Sequence, residues 1–289
     1  MAARLGVPVL VALAAAGLTA LLSVTGMLTA VDEAFYDRLS TRLPPVEAMP
    51  ETVVVAIDDP TFAELGLAWP WPRELHAQLI EALRAAGARQ IGYDVVFADP
   101  GPPAGDAALA TALDQDVILA RYTTHSETPQ GIMQMSVAPI RPLAQSARVA
   151  SVDVPVDPDG AIRRINRDPE AMAAVLAGRA APPRARIRFD PSGVQVVSFY
   201  QALDPAGMLP PGLFRDKTVL VGVILVAAPG TAAEMFRVPA TASGAGFMAG
   251  VLIHAHAYRT LAARAWILPV HGLVPPLMAL ALALVVAAL

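Results

Sequence analysis

The chain contains no cysteine, so no disulfide braces it and cysteine usage assigns no redox compartment. Charge is missing from both ends. No charged side chain occurs between Leu5 and Val31. As a helix, about 27 such residues rise about 40 Å, more than a hydrocarbon core of about 30 Å, which predicts a membrane anchor over 5–31. The run is longer than the apolar part of a signal peptide and lacks a multiply charged leader, so an uncleaved anchor is expected. From Ala265 onward there is no Asp, Glu, Lys or Arg. The stretch 267–289 is again of spanning length, with Pro269, Pro275 and Pro276 disturbing its first turns, and it predicts the start of a second membrane helix in a chain that looks cut short.

Signatures of several chemistries are also missing. There is no phosphate loop, no zincin helix and no nucleophile elbow, so no catalytic residue is assigned. Gly244, Gly246 and Gly250 miss the dinucleotide fingerprint by one residue, and no cofactor is expected. His254 and His256 are two apart, whereas chelation from one helix face needs a spacing of four, so no metal is expected. Of the charged residues only Arg4 precedes Asp32, leaving 20 basic against 25 acidic residues between 32 and 264, a formal charge of −5. A domain of that sign is a poor partner for nucleic acid. Arg38 and Arg42 follow the first span and only Arg4 precedes it, which argues mildly against an inside amino terminus, but long loops translocate largely regardless of charge, so this count does not exclude a central domain on the outside.

What is present between the apolar ends reads as one α/β domain over 32–264. The β-branched run Thr52 to Ile57 predicts a buried strand. Leu75, Leu79, Leu83 and Ala86 predict a helix over 73–86, opened by Glu74 and stopped by Gly87. A second strand over 90–97 completes a parallel crossover unit. A helix from Asp106 to Leu113 and a strand over 116–122 repeat it. The stretches 150–156 and 161–165 flank Asp157-Pro158-Asp159-Gly160, which predicts a β-hairpin insertion. A short helix is expected from Asp168 to Gly178, and strands near 186–189, 194–198 and 218–224. A long loop is expected over 227–250 and a helix over 251–264 that runs into the second membrane segment. The expected fold is therefore a mostly parallel sheet with flanking helices.

Two groups of side chains are candidate ligand contacts. Asp58 and Asp59 follow the first strand and Asp94 lies in the second, so Asp58 and Asp94 are placed at the carboxyl ends, where α/β sheets bind ligands. The competing reading is that they start a helix and cap a turn. Trp69, Trp71, Arg73 and His76 gather at the start of the 73–86 helix, an arrangement suited either to an anion with stacked indoles or to plain packing.

Read in order, several pieces resemble the CHASE2 sensor family. They begin with Phe35-Tyr36-Asp37-Arg38, the strand ending Ala56-Ile57-Asp58, Leu65-Gly66, Trp69 to Arg73, His76, Ala86-Gly87-Ala88, Asp94 and Phe97. They continue with Asp157, Asp159-Gly160, Arg163, Phe214-Arg215-Asp216-Lys217, Val219 to Gly222, Gly250-Val251 and Ile253-His254-Ala255. The sequence departs from the family pattern at Val223 to Pro229, where the family has a small polar segment, and in the short helix after Asp168. It implies an anchored domain outside the bacterial inner membrane, periplasmic or extracellular, with the lipid bilayer and an unknown small-molecule or envelope ligand as partners. It further implies a multi-pass receptor with a cytosolic output domain, adenylate cyclase foremost or else diguanylate cyclase or kinase, and a possible homodimer. The alternative is a membrane-anchored periplasmic enzyme or envelope scaffold acting through its own domain.

Overall fold

The computed structural model describes residues 2–27, 29–40, 42–44, 46, 49–128, 131–189, 194–225, 235–239, 246–270 and 274–288. The chain forms two compact units, one of residues 1–42 with 268–289 and one of Leu43–Ile267. The first begins with α1 (Ala2–Val24) and α2 (Thr29–Ser40). The uninterrupted helix expected over 5–31 is divided between them, because Gly26 takes φ 73°, a left-handed conformation that stops a helix.

The second unit runs β1 (Thr52–Ile57), α3 (Asp59–Leu65), α4 (Arg73–Ala85), β2 (Gln90–Asp94), α5 (Pro103–Ala112), β3 (Val117–Thr128), β4 (Gly131–Val137) and α6 (Arg141–Ser146). It continues through β5 (Arg148–Ser151), α7 (Met172–Ala177), β6 (Gln195–Ser198), α8 (Phe199–Leu203), α9 (Pro205–Met208), β7 (Thr218–Val223), β8 (Met235–Arg237), β9 (Phe247–Ala249) and α10 (Gly250–Ala262). The main sheet has the order β4-β3-β2-β7-β1-β6, with β5 also on β3. Every pairing in it is parallel except β3 with β4.

Both faces of the sheet are covered, which is why its strands are continuous apolar runs. Val53, Val55, Ile57, Ile91, Tyr93, Val219 and Val221 point into a core with Leu79, Ile80 and Leu83 of α4, Leu109 of α5 and Phe199 of α8. The alternate residues Val54, Ile118 and Leu220 point the other way, against Met172 and Leu176 of α7 and Val251, Ile253 and Tyr258 of α10. The helix α10 approaches β7 closely at Gly222, where a Cβ would stand 2.7 Å from Cβ of Val251.

The expected mostly parallel α/β architecture is therefore present, with several local differences. The turn at 157–160 closes, with Gly160 at φ 81° and its N–H donating to the carbonyl of Asp157 at 2.8 Å. Its arms do not form the expected hairpin, which is reduced to one bridge between Val156 and Ile162. The residues Arg148 to Ser151 join the parallel sheet instead, since Ala150 is fully buried there beside β3. What holds the turn is the buried Arg163, paired with Asp157 at 3.2 Å and Asp159 at 2.7 Å. The hairpin that does form is β3–β4. The helix expected from Asp168 starts only at Met172, because Asp168 accepts the N–H of Glu170 at 2.9 Å and closes a turn first.

The strand expected near 186–189 is reduced to bridges from Arg186 to Arg164 and Ile267. Of the expected loop over 227–250, residues 227–234 and 240–245 lie outside the described residues, and the remainder contains the β8–β9 pair. The helix α10 stops at Ala262 rather than running on. Arg264 takes φ 54°, the N–H of Ala265 closes back on the carbonyl of Thr260 at 2.9 Å, and Ile267 bonds to Arg186. The last element, α11 (Val274–Ala288), belongs to the first unit and covers only part of the stretch 267–289 expected to span. Among the described residues, no helix is long and apolar enough to cross a membrane.

Candidate functional site

The seven residues singled out from the sequence fall into two groups on this frame. Trp69 and Trp71 precede α4, and Arg73 and His76 lie on its first turns, on the face of the sheet packed by α4 and α5. His76 is 1% exposed. Its Nδ1 lies 2.7 Å from the hydroxyl of Tyr93, and its ring meets those of Trp69, Trp71, Phe97 and Phe199. Burial, with the charge of Arg73 adding to it, pushes its pKa down to about 3, so the imidazole is neutral at physiological pH. The phenol of Tyr93 is pushed well up by the same burial. Trp71 is buried with its indole N–H near the carbonyl of Leu67, whereas Trp69 is exposed.

Arg73 is tied inward. It donates to the carbonyl of Asp99 at 2.9 Å, lies 3.4 Å from Asp106 of α5, and sits over the ring of Phe97. Asp106 in turn accepts the N–H of Gly101 at 2.9 Å. The first turn of α4 also carries Glu74, whose carboxylate lies against Gly105 and disfavours an anion at that helix start.

The aspartates are arranged differently. Asp58 caps α3, accepting the N–H of Thr61 at 3.0 Å and its hydroxyl at 2.5 Å, and it accepts the hydroxyl of Ser198 at 2.6 Å. It thereby joins the carboxyl ends of β1 and β6. Asp59 is exposed in the first turn of α3. Asp94 ends β2 opposite Gly222 of β7, and β7 stands between β2 and β1 with Ala56 level with Gly222, so Asp94 and Asp58 are separated by at least two strand spacings, about 10 Å. Burial raises the pKa of Asp94, and the charge of His254 on α10 partly offsets that. Asp94 thus belongs to the α10 face and the aromatic group to the opposite one. His254 and His256 are both buried in α10, and among the described residues no group of three metal-ligating side chains forms. Gly244 lies outside the described residues.

A cavity of about 590 Å³ opens at the other end of the sheet, and none of the seven residues lines it. It lies at the amino ends of the strands, bordered by Pro50, Arg89, Gln90, Arg148, Leu176 and Tyr258. These residues carry no common motif, because they come from the starts of separate strands and the ends of α7 and α10. The rule that α/β sheets bind at their carboxyl ends also directs attention away from them.

Sequence pieces far apart in the chain meet in the fold. The N–H of Asp216 donates to the carbonyl of Gly87 at 2.8 Å and that of Arg89 to the carbonyl of Lys217 at 2.9 Å, joining Ala86-Gly87-Ala88 to Phe214-Arg215-Asp216-Lys217. Asp157, Asp159 and Arg163 form one ion cluster, in which Asp157 and Arg163 are buried and Asp159 is exposed. Among curated proteins and among solved structures, nothing matches the chain. The family model of the CHASE2 domain matches residues 10–289, nearly the whole length. With the motifs assembled as described, the chain belongs to the CHASE2 family of extracytoplasmic sensor domains.

Proposed function

We propose that this chain is the sensory input region of a bacterial transmembrane signalling receptor. It takes an extracytoplasmic cue and passes it through the inner membrane to a cytosolic output domain, an adenylate cyclase foremost, with a diguanylate cyclase or kinase as the other choices. The observation that carries this reading is the family match over residues 10–289. The unit containing α1 and α11 is the part assigned to the bilayer. In support, Leu10, Val11, Leu13, Leu18 and Leu21 of α1 and Leu277, Met278, Leu282, Val285 and Val286 of α11 are all exposed, an apolar surface that favours lipid over water. Of the seven candidate ligand contacts, Trp69 and Asp59 face solvent and are the ones offered to a cue at the carboxyl edge. Pairing of two such chains in the membrane accords with output domains that work as dimers.

The absence of cysteine makes the placement directly testable. Glu81 is exposed on α4, and Glu81→Cys supplies a single thiol. In spheroplasts, a membrane-impermeant maleimide is expected to label it without lysis. Labelling only after the inner membrane is opened would place the domain in the cytosol and end the sensor reading.

A further inference from the structure

The cavity at the amino edge of the sheet is bordered by a connected hydrogen-bond network. The hydroxyl of Thr218 lies 2.9 Å from a guanidinium nitrogen of Arg89, 2.9 Å from Nε2 of Gln90 and 2.8 Å from the hydroxyl of Tyr258. A hydroxyl oxygen has two lone pairs, and the two nitrogens can only donate, so both pairs of Thr218 are occupied and its own proton goes to Tyr258. The oxygen of Tyr258 also accepts from Arg89 at 2.7 Å, which fills its two lone pairs in turn. The phenolic proton of Tyr258 is left over, on a side chain 1% exposed that lines the cavity. Gln90 spends its second N–H on the carbonyl of Leu176 at 3.0 Å, which fixes this network to the last turn of α7.

Two guanidiniums border the same space. Among the described residues, no carboxylate pairs with Arg89 or Arg148, whose Nε donates to the carbonyl of Gln115 at 2.7 Å and leaves the rest of its fork unused. The acid lining the cavity is Asp116, which, with the carbonyl end of α7, presents acceptors on the opposite account. Donors of positive charge beside a few acceptors suit an oxyanion that also carries a hydroxyl or amine, and the volume is that of a metabolite-sized site.

We infer that this cavity binds a small organic oxyanion, its carboxylate or phosphoryl group held by Arg89, Arg148 and the O–H of Tyr258. The binding stands apart from the sensor reading; only its use as a signal, through Tyr258 on α10, rests on that reading.

The test is calorimetric titration of the full chain, purified in detergent, with malate as the carboxylate probe and glycerol 3-phosphate as the phosphoryl probe. Saturable binding of one of them is expected, weakened at least about tenfold by Arg148→Gln and by Tyr258→Phe, and unaffected by Arg84→Gln outside the cavity. Circular dichroism checks that each variant is folded, and Arg148→Lys serves where Arg148→Gln is not. The probe that binds identifies the group recognised. Binding of neither probe at about 10 mM, or an equal loss with Arg84→Gln, would overturn the assignment. Labelling of Glu81→Cys is unaffected by either result, so failure of the cavity and failure of the sensor reading are told apart.

Discussion

At the residue scale, His76 shows how burial converts a group that looks reactive into one that packs. Its ring is enclosed by aromatic neighbours and its pKa lies at about 3, below the ordinary 6.5. The unfolded chain therefore binds a proton at this site between those values and the folded chain does not, so stability rises with pH across that window. The contribution is complete above the unfolded value and is lost as pH falls toward the folded one. With about 1.4 kcal/mol per unit, the loss from pH 6.5 to pH 5 is about 2 kcal/mol. Urea midpoints measured at both pH values should drop for the wild type and drop less for His76→Gln. Identical slopes for the two would show that His76 is solvated. The sequence placed His76 in the right cluster, but histidine has the same letter whether it faces a ligand or a core. Tyr93 and Phe97, which decide the matter, come from β2 and its exit rather than from α4.

At the element scale, the close approach of α10 to β7 depends on Gly222. An added Cβ meets Cβ and Cγ2 of Val251 at 2.7 and 2.8 Å, both near the backbone and unable to swing away. Gly222→Ala is expected to cost about 1–3 kcal/mol by overpacking, and Val251→Ala in the same chain to recover part of it. Thermal unfolding of the single and double variants measures this, and a Gly222→Ala chain as stable as the wild type would mean that the helix sits farther from the sheet. Elements with a strong period were legible: β1, α4 and β7 run almost where their apolar patterns put them. Elements without one carry no local signal of their place in the fold. Arg148 to Ser151 became an edge strand because its apolar atoms find a neighbour in β3, and Met235 to Arg237 pairs with Phe247 to Ala249 across chain that reads as loop. The end of α10 follows from Arg264 entering the left-handed region, which a non-glycine residue does not announce.

At the scale of the whole molecule, the division at Arg42 and Ile267 leaves Leu43–Ile267 with both faces of its sheet covered from within. Expressed alone, this segment should unfold in a single cooperative urea transition with the same midpoint by fluorescence and by circular dichroism. Non-coincident transitions would show that its core needs the remaining residues.

The amino-acid sequence alone settled the family, the α/β class, the buried strands and the apolar ends, because each is written in local composition or in motifs of a few neighbouring residues. Tertiary structure alone decided the strand order, the separation of Asp58 from Asp94 by β7, and the enclosure of His76. It also decided the gathering of Arg89, Arg148 and Tyr258 around one cavity. The physical reason is the same in each case: these depend on which distant segments a right-handed crossover brings side by side, and no short stretch of chain carries that information.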